Sequence, residues 1–112
     1  MSESLPIEID VQTVKKMQDG GEQFLLLDVR QPEEYETAKI DGSVLIPMGE
    51  LGERVAELGD DYQRRIVVHC HHGGRSMQVT QALRGRGFDN VQNMAGGIDV
   101  WSQEIDSSVP RY

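Results

Sequence analysis

The stretch Ile66-Val67-Val68-His69-Cys70-His71-His72-Gly73-Gly74-Arg75-Ser76 passes from a β-branched apolar run into a polar loop that contains two glycines. Ile66 to Val68 has the composition of a strand covered on both faces. Downstream, Met77, Val79, Ala82 and Leu83 are the apolar positions of a helix that ends near Gly87. Strand, loop and helix in that order place Cys70 at the carboxyl edge of a sheet, where open α/β folds hold their ligands. Gly73 and Gly74 let the backbone curl so that successive N–H groups turn inward, an arrangement that binds anions. Those donors, the positive end of the next helix and the Arg75 guanidinium all favour thiolate over thiol at Cys70. Ser76 is placed to cap that helix. Cys70 is the single cysteine, so it forms no internal disulfide and is either a buried small apolar residue or a reactive thiol. The glycines, the arginine and the strand-loop-helix context weigh for the reactive thiol.

Outward from this loop the same alternation continues. Ile7 and Ile9 form a short extended segment, and Asp10 is an N-cap ahead of Val11, Val14 and Met17 at helical spacing. Phe24 to Val29 reads as another buried strand, and Pro32 suits the first turn of a brief helix whose Glu33, Glu34 and Glu36 lie near its positive end. Val44-Leu45-Ile46 is a strand stopped by Pro47, and Leu51, Val55 and Leu58 share one face of a helix from Glu50 to Leu58. Val91 to Met94 is the last strand, and Ala95-Gly96-Gly97 turns into a short helix carrying Ile98 and Trp101. The pattern predicts an α/β domain with a mainly parallel central sheet.

The 112 residues fit one domain, with a core over about 5–105 and a C-terminal tail over 106–112 that is either docked or frayed. Hydrophobic residues at 38% and charged residues at 27% lie in the globular range. No run approaches the roughly 20 apolar residues of a membrane span, and the acidic opening MSESLPIEID lacks the basic start of a secretory signal. The expected location is cytoplasmic, with no membrane partner. Nineteen acidic against eleven basic residues give a net charge of -8, which repels nucleic-acid backbones, so no nucleic-acid partner is expected.

Cys-x-x-Gly-x-Arg after an apolar strand resembles the active-site loop of rhodanese-like sulfurtransferases. Leu27-Asp28-Val29-Arg30 with Pro32, Glu34 and Tyr35 is similar to the family's upstream signature, and Ile40-Asp41-Gly42-Ser43 through Ile46-Pro47 to the segment after it. Met94-Ala95-Gly96-Gly97-Ile98 with Trp101 resembles its C-terminal signature. Lys39 departs from the pattern, since many members carry histidine there. The close at Val109-Pro110-Arg111-Tyr112 looks most like rhodanese domains found alone or fused to enzymes that adenylate ubiquitin-like sulfur carriers.

The resemblance implies a three-layer domain with a mainly parallel five-stranded sheet flanked by helices, and a double displacement with no metal or organic cofactor. Cys70 takes a sulfane sulfur from a donor such as thiosulfate, holds it as a persulfide, and passes it to cyanide, a thiol or a sulfur-carrier protein. The loop N–H groups stabilise the terminal sulfur's charge, Arg75 shapes the loop and attracts an anionic donor, and His71 and His72 line its rim. Asp28 and Arg30 are expected to be a buried supporting ion pair.

Three other readings stand beside this one. His69-Cys70 and Arg75-Ser76 also resemble the ends of the cysteine-phosphatase and arsenate-reductase loop, but four residues separate Cys70 from Arg75, one fewer than in that pattern. The run His69, Cys70, His71 and His72 superficially resembles a metal site, yet neighbouring strand residues point to opposite faces. A protein-interaction or sulfur-relay module is the remaining alternative, its acidic surface suiting a basic partner face.

Overall fold

In the computed structural model, which describes residues 5–112, strands and helices alternate along the chain. They are β1 (Glu8–Ile9), α1 (Val11–Asp19), β2 (Leu25–Asp28), α2 (Pro32–Thr37), β3 (Val44–Leu45), α3 (Leu51–Arg54), β4 (Ile66–His69), α4 (Gly74–Gly85), β5 (Val91–Met94) and α5 (Gly97–Glu104). The strands pair in the order β1-β5-β4-β2-β3, and every pairing is parallel. The five-stranded α/β sheet expected from the sequence is therefore present.

Strand periodicity sorts the core into two layers. Leu26, Val67 and Met94 face Val11, Val14 and Met17 of α1 and Ile98 and Trp101 of α5. Their neighbours Leu27, Ile66, Val68 and Val91 face Leu51, Leu58, Val79 and Leu83 on the opposite side. Ile66, Val67 and Val68 are wholly buried, which explains why β4 reads as a continuous apolar run rather than an alternating one. With β5 on one side and β2 on the other, β4 delivers the residue after it to the middle of the sheet's carboxyl edge.

The structure departs from the sequence expectation at two places, and it decides between the two outcomes left open for the tail. The helix expected over Glu50–Leu58 is a single α turn, α3, between 3-10 turns over Met48–Glu50 and Val55–Leu58. Glu50 N–H donates to Pro47 C=O and Gly59 N–H to Ala56 C=O, both i to i+3 bonds that tighten the winding. Helix α4 starts at Gly74, so Arg75 and Ser76 lie inside its first turn and not in the loop. The tail is docked: Val109 is buried and its carbonyl accepts from Ser102 Oγ at 2.8 Å. No helix of the described residues is long and apolar enough to cross a membrane.

Candidate active site

Cys70 follows β4 directly and is 1% exposed. The backbone then turns back through Gly73, whose φ of +113° is strained for any residue with a side chain, and enters α4. This turn brings three donors onto Cys70 Sγ: Gly73 N–H at 3.1 Å, Ser76 N–H at 3.4 Å and Ser76 Oγ–H at 3.3 Å. Burial pushes the thiol up, but donation from the Ser76 hydroxyl and from the Ser76, Gly73 and His72 N–H groups outweighs it. The Cys70 thiol titrates below its ordinary value.

Two details of the loop differ from expectation. Gly74 has ordinary φ and open space where a Cβ would sit, so only Gly73 of the pair is conformationally required. Ser76 does not cap α4. Its hydroxyl lies between Sγ and Asn93 Oδ1, and Asn93 Nδ2 donates to Glu8 Oε2 at 3.2 Å and to Gly73 C=O at 3.3 Å.

The loop is held from outside by the amino end of α5. Ile98 N–H donates to Cys70 C=O at 2.9 Å and Asp99 N–H to His71 C=O at 3.1 Å. Arg75 is committed elsewhere than the sequence suggested. Its two terminal nitrogens grip Glu34 at 2.6 and 2.9 Å, so the fork expected to attract an anionic donor already holds a carboxylate. The Arg75 hydrogen bonds pull Glu34 to about 2, against partial burial, with help from Gln31 N–H and Tyr112.

At the rim His72 is exposed and stacks on His71 at 4.0 Å between centroids, and His71 stacks on Tyr112 at 4.0 Å and 9°. Tyr112 Oη donates to Glu34 Oε2 and accepts from Arg30 Nη1. Burial, and then the charge of His72, lower the His71 pKa. Beneath the loop, Asp28 and Arg30 form an ion pair, both wholly buried with an Nη2 to Oδ2 distance of 2.6 Å. His69 is also wholly buried, and neither ring nitrogen has a hydrogen-bond partner. Its nearest carboxylate oxygen is Asp28 Oδ2 at 3.7 Å. Burial holds its pKa down, with Arg30 adding to this and Asp28 opposing it.

The sheet order and the cysteine at the carboxyl end of the central strand define an α/β domain built around one loop. The chain belongs to the Rhodanese-like domain family, which matches residues 10–104. It is 38% identical over 103 residues to the putative sulfur carrier protein YrkF of Bacillus subtilis, covering 92% of this chain and 54% of that protein. It is 36% identical over 103 residues to the adenylyltransferase and sulfurtransferase MOCS3-2 of Zea mays, covering 88% of this chain and 21% of that one. The crystal structure of SSP1007 from Staphylococcus saprophyticus superposes with a TM-score of 0.78 at 28% identity, covering 89% of this chain and 97% of the other. The chain thus spans between about a fifth and about half of these two curated relatives. Its homology is to sulfurtransferases and sulfur carriers.

The sequence named Cys70, Gly73, Arg75 and Ser76 and the structure brings them together. Sequence alone gave no role at the site to Asn93, Glu34 or Tyr112, although the last two stand in segments that carry the family resemblance. Their partners lie on other elements, and nothing local in the sequence marks such a contact.

Proposed function

We propose that this rhodanese-like domain is a sulfurtransferase in which Cys70 carries a sulfane sulfur as a persulfide. The observation that carries this reading is the convergence of two backbone N–H groups and one hydroxyl on a buried Sγ. The Cys70 thiolate attacks the outer sulfur of a donor such as thiosulfate, the Sγ–S bond forms, and sulfite leaves with the electron pair of the broken S–S bond. A thiophilic acceptor, whether cyanide, a thiol or a sulfur-carrier protein, then attacks the terminal sulfur. The Sγ–S pair returns to Cys70, which leaves as a thiolate. Covalent storage divides one transfer into two easier displacements, and the loop donors offset negative charge on sulfur at each.

Arg75 serves in this reading as a strut between α4 and α2. A phosphatase loop needs its arginine for phosphate, so the Glu34 grip supports sulfur chemistry over ester hydrolysis. The sulfur-relay alternative draws support from YrkF, a putative sulfur carrier protein. It uses the same persulfide with a protein acceptor.

Intact-mass measurement after incubation with thiosulfate tests the reading. The wild type gains one sulfur that a reducing agent removes, and Cys70→Ser gains none. If thiosulfate and thiol persulfides all leave the wild-type mass unchanged, the sulfurtransferase reading fails and a binding-only module takes its place.

A further inference from the structure

We propose that Asn93 is a positioning residue for Cys70: its side-chain oxygen holds the Ser76 hydroxyl hydrogen while Sγ is uncharged and yields it to Sγ whenever that atom is a thiolate. The Ser76 hydroxyl has one hydrogen and two acceptors within reach, Sγ at 3.3 Å and Asn93 Oδ1. Asn93 cannot turn its amide to remove the competition. Its Nδ2 faces the Glu8 carboxylate and the Gly73 carbonyl, and both only accept. Ser76 and Asn93 are 0% and 1% exposed, which leaves each group dependent on protein partners.

The two protonation states of Cys70 therefore use the hydroxyl differently. With a thiol, S–H donates to Ser76 Oγ, whose own hydrogen goes to Asn93 Oδ1, and every atom of the chain has a partner. With a thiolate, the hydroxyl turns to Sγ and joins the Gly73 and Ser76 N–H groups, leaving Oδ1 a buried acceptor without a donor. That loss opposes ionisation, so Asn93 sets how far the donors around Sγ depress its titration.

The consequence for turnover rests on the reading of Cys70 as the sulfur carrier. Sγ is charged as it attacks the donor and again as it leaves the persulfide; between those steps the charge sits on the terminal sulfur. A hydroxyl with two resting places supplies its hydrogen bond at the two steps that need it. The other charged or titratable groups around the loop are Arg75 with Glu34, His71 and His72 with Tyr112 stacked on His71, Asp99 at the amino end of α5, Asp28, Arg30 and His69 beneath, and Glu8 behind Asn93. Of these, Glu8 alone loses a direct partner when Asn93 is replaced, so the test must separate a path through Ser76 from a change at Glu8.

The pH dependence of iodoacetamide alkylation makes that separation, because Cys70 is the single cysteine and no sulfur donor is involved. Its failure is thus distinct from failure of the sulfurtransferase reading. Asn93→Ala is expected to lower the midpoint by about one pH unit, the worth of one buried hydrogen bond. Ser76→Ala is expected to raise it, and in the Ser76→Ala background Asn93→Ala should move it by no more than about 0.3 unit. An unchanged midpoint in Asn93→Ala, or the same shift with and without Ser76, overturns the proposal. Should Asn93→Ala fail to fold, the S–H stretch of the wild-type thiol at acidic pH decides. A band below the free-thiol frequency supports the chain of donors, and a band at that frequency overturns it.

Discussion

At positions 74 and 97 the addition of one methyl group has opposite consequences. Gly97 has a φ of +62°, and a Cβ there would lie 2.5 Å from the carbonyl oxygens of both Cys70 and His71. Those carbonyls accept from Ile98 and Asp99, so the glycine lets α5 approach closely enough to hold the cysteine loop. Gly97→Ala is expected to cost about 2 kcal/mol or more and to disturb alkylation of Cys70, read by urea unfolding and by the iodoacetamide rate. Gly74→Ala meets neither a positive φ nor a neighbouring atom and is expected to be neutral or to stabilise by up to about 1 kcal/mol. Equal effects at the two sites would show that the approach of α5 is not what fixes the loop. The sequence displays Gly73-Gly74 and Gly96-Gly97 as two similar pairs, yet Gly73, Gly96 and Gly97 all adopt positive φ while Gly74 does not, and of the four Gly97 alone is crowded by the backbone of another element.

Helices α2 and α4 are joined by a carboxylate with four donors. Glu34 Oε1 accepts from Gln31 N–H and Arg75 Nη1, and Oε2 from Arg75 Nη2 and Tyr112 Oη. Because the folded pKa of Glu34 lies at about 2, below its ordinary value of 4.5, its contribution is complete above pH 4.5. It declines as pH falls toward about 2. Glu34→Gln is expected to lose about 1 kcal/mol at neutral pH, a charge-assisted pair discounted for partial exposure. The difference from wild type should vanish through that acid window, and a gap that stays constant to pH 2 would assign the loss to packing. At this scale the sequence was informative where an element is defined by its own residues. Asp10 accepts from Thr13 N–H as the α1 cap, and Pro32 opens α2. It misled on the winding of Glu50–Leu58, read as one helix, because Leu51 and Leu58 reach the core from α or 3-10 turns alike.

Across the whole molecule, the parallel sheet was legible because burial on both faces forces β2 and β4 into apolar runs that no surface strand requires. The tail was not, since its partners lie in segments distant in sequence. Val109 joins the buried cluster that holds Trp101 and Val14, Arg111 Nε bonds Asp99 Oδ1 at 3.0 Å, and Tyr112 stacks on His71 at the rim of the Cys70 loop. These contacts are expected to divide into a part that stabilises the fold and a part that limits access to Cys70 Sγ, and two variants separate them. Removal of residues 109–112 takes away the buried valine and the Tyr112 cover together. It is expected to cost about 2 kcal/mol in urea unfolding and to speed alkylation of Cys70. Tyr112→Ala keeps Val109 and its bond from Ser102, so it should retain most of the stability while showing the same faster alkylation. If Tyr112→Ala instead reacts at the wild-type rate, the stack on His71 does not limit approach to Sγ. The cost of truncation would then belong to the core alone.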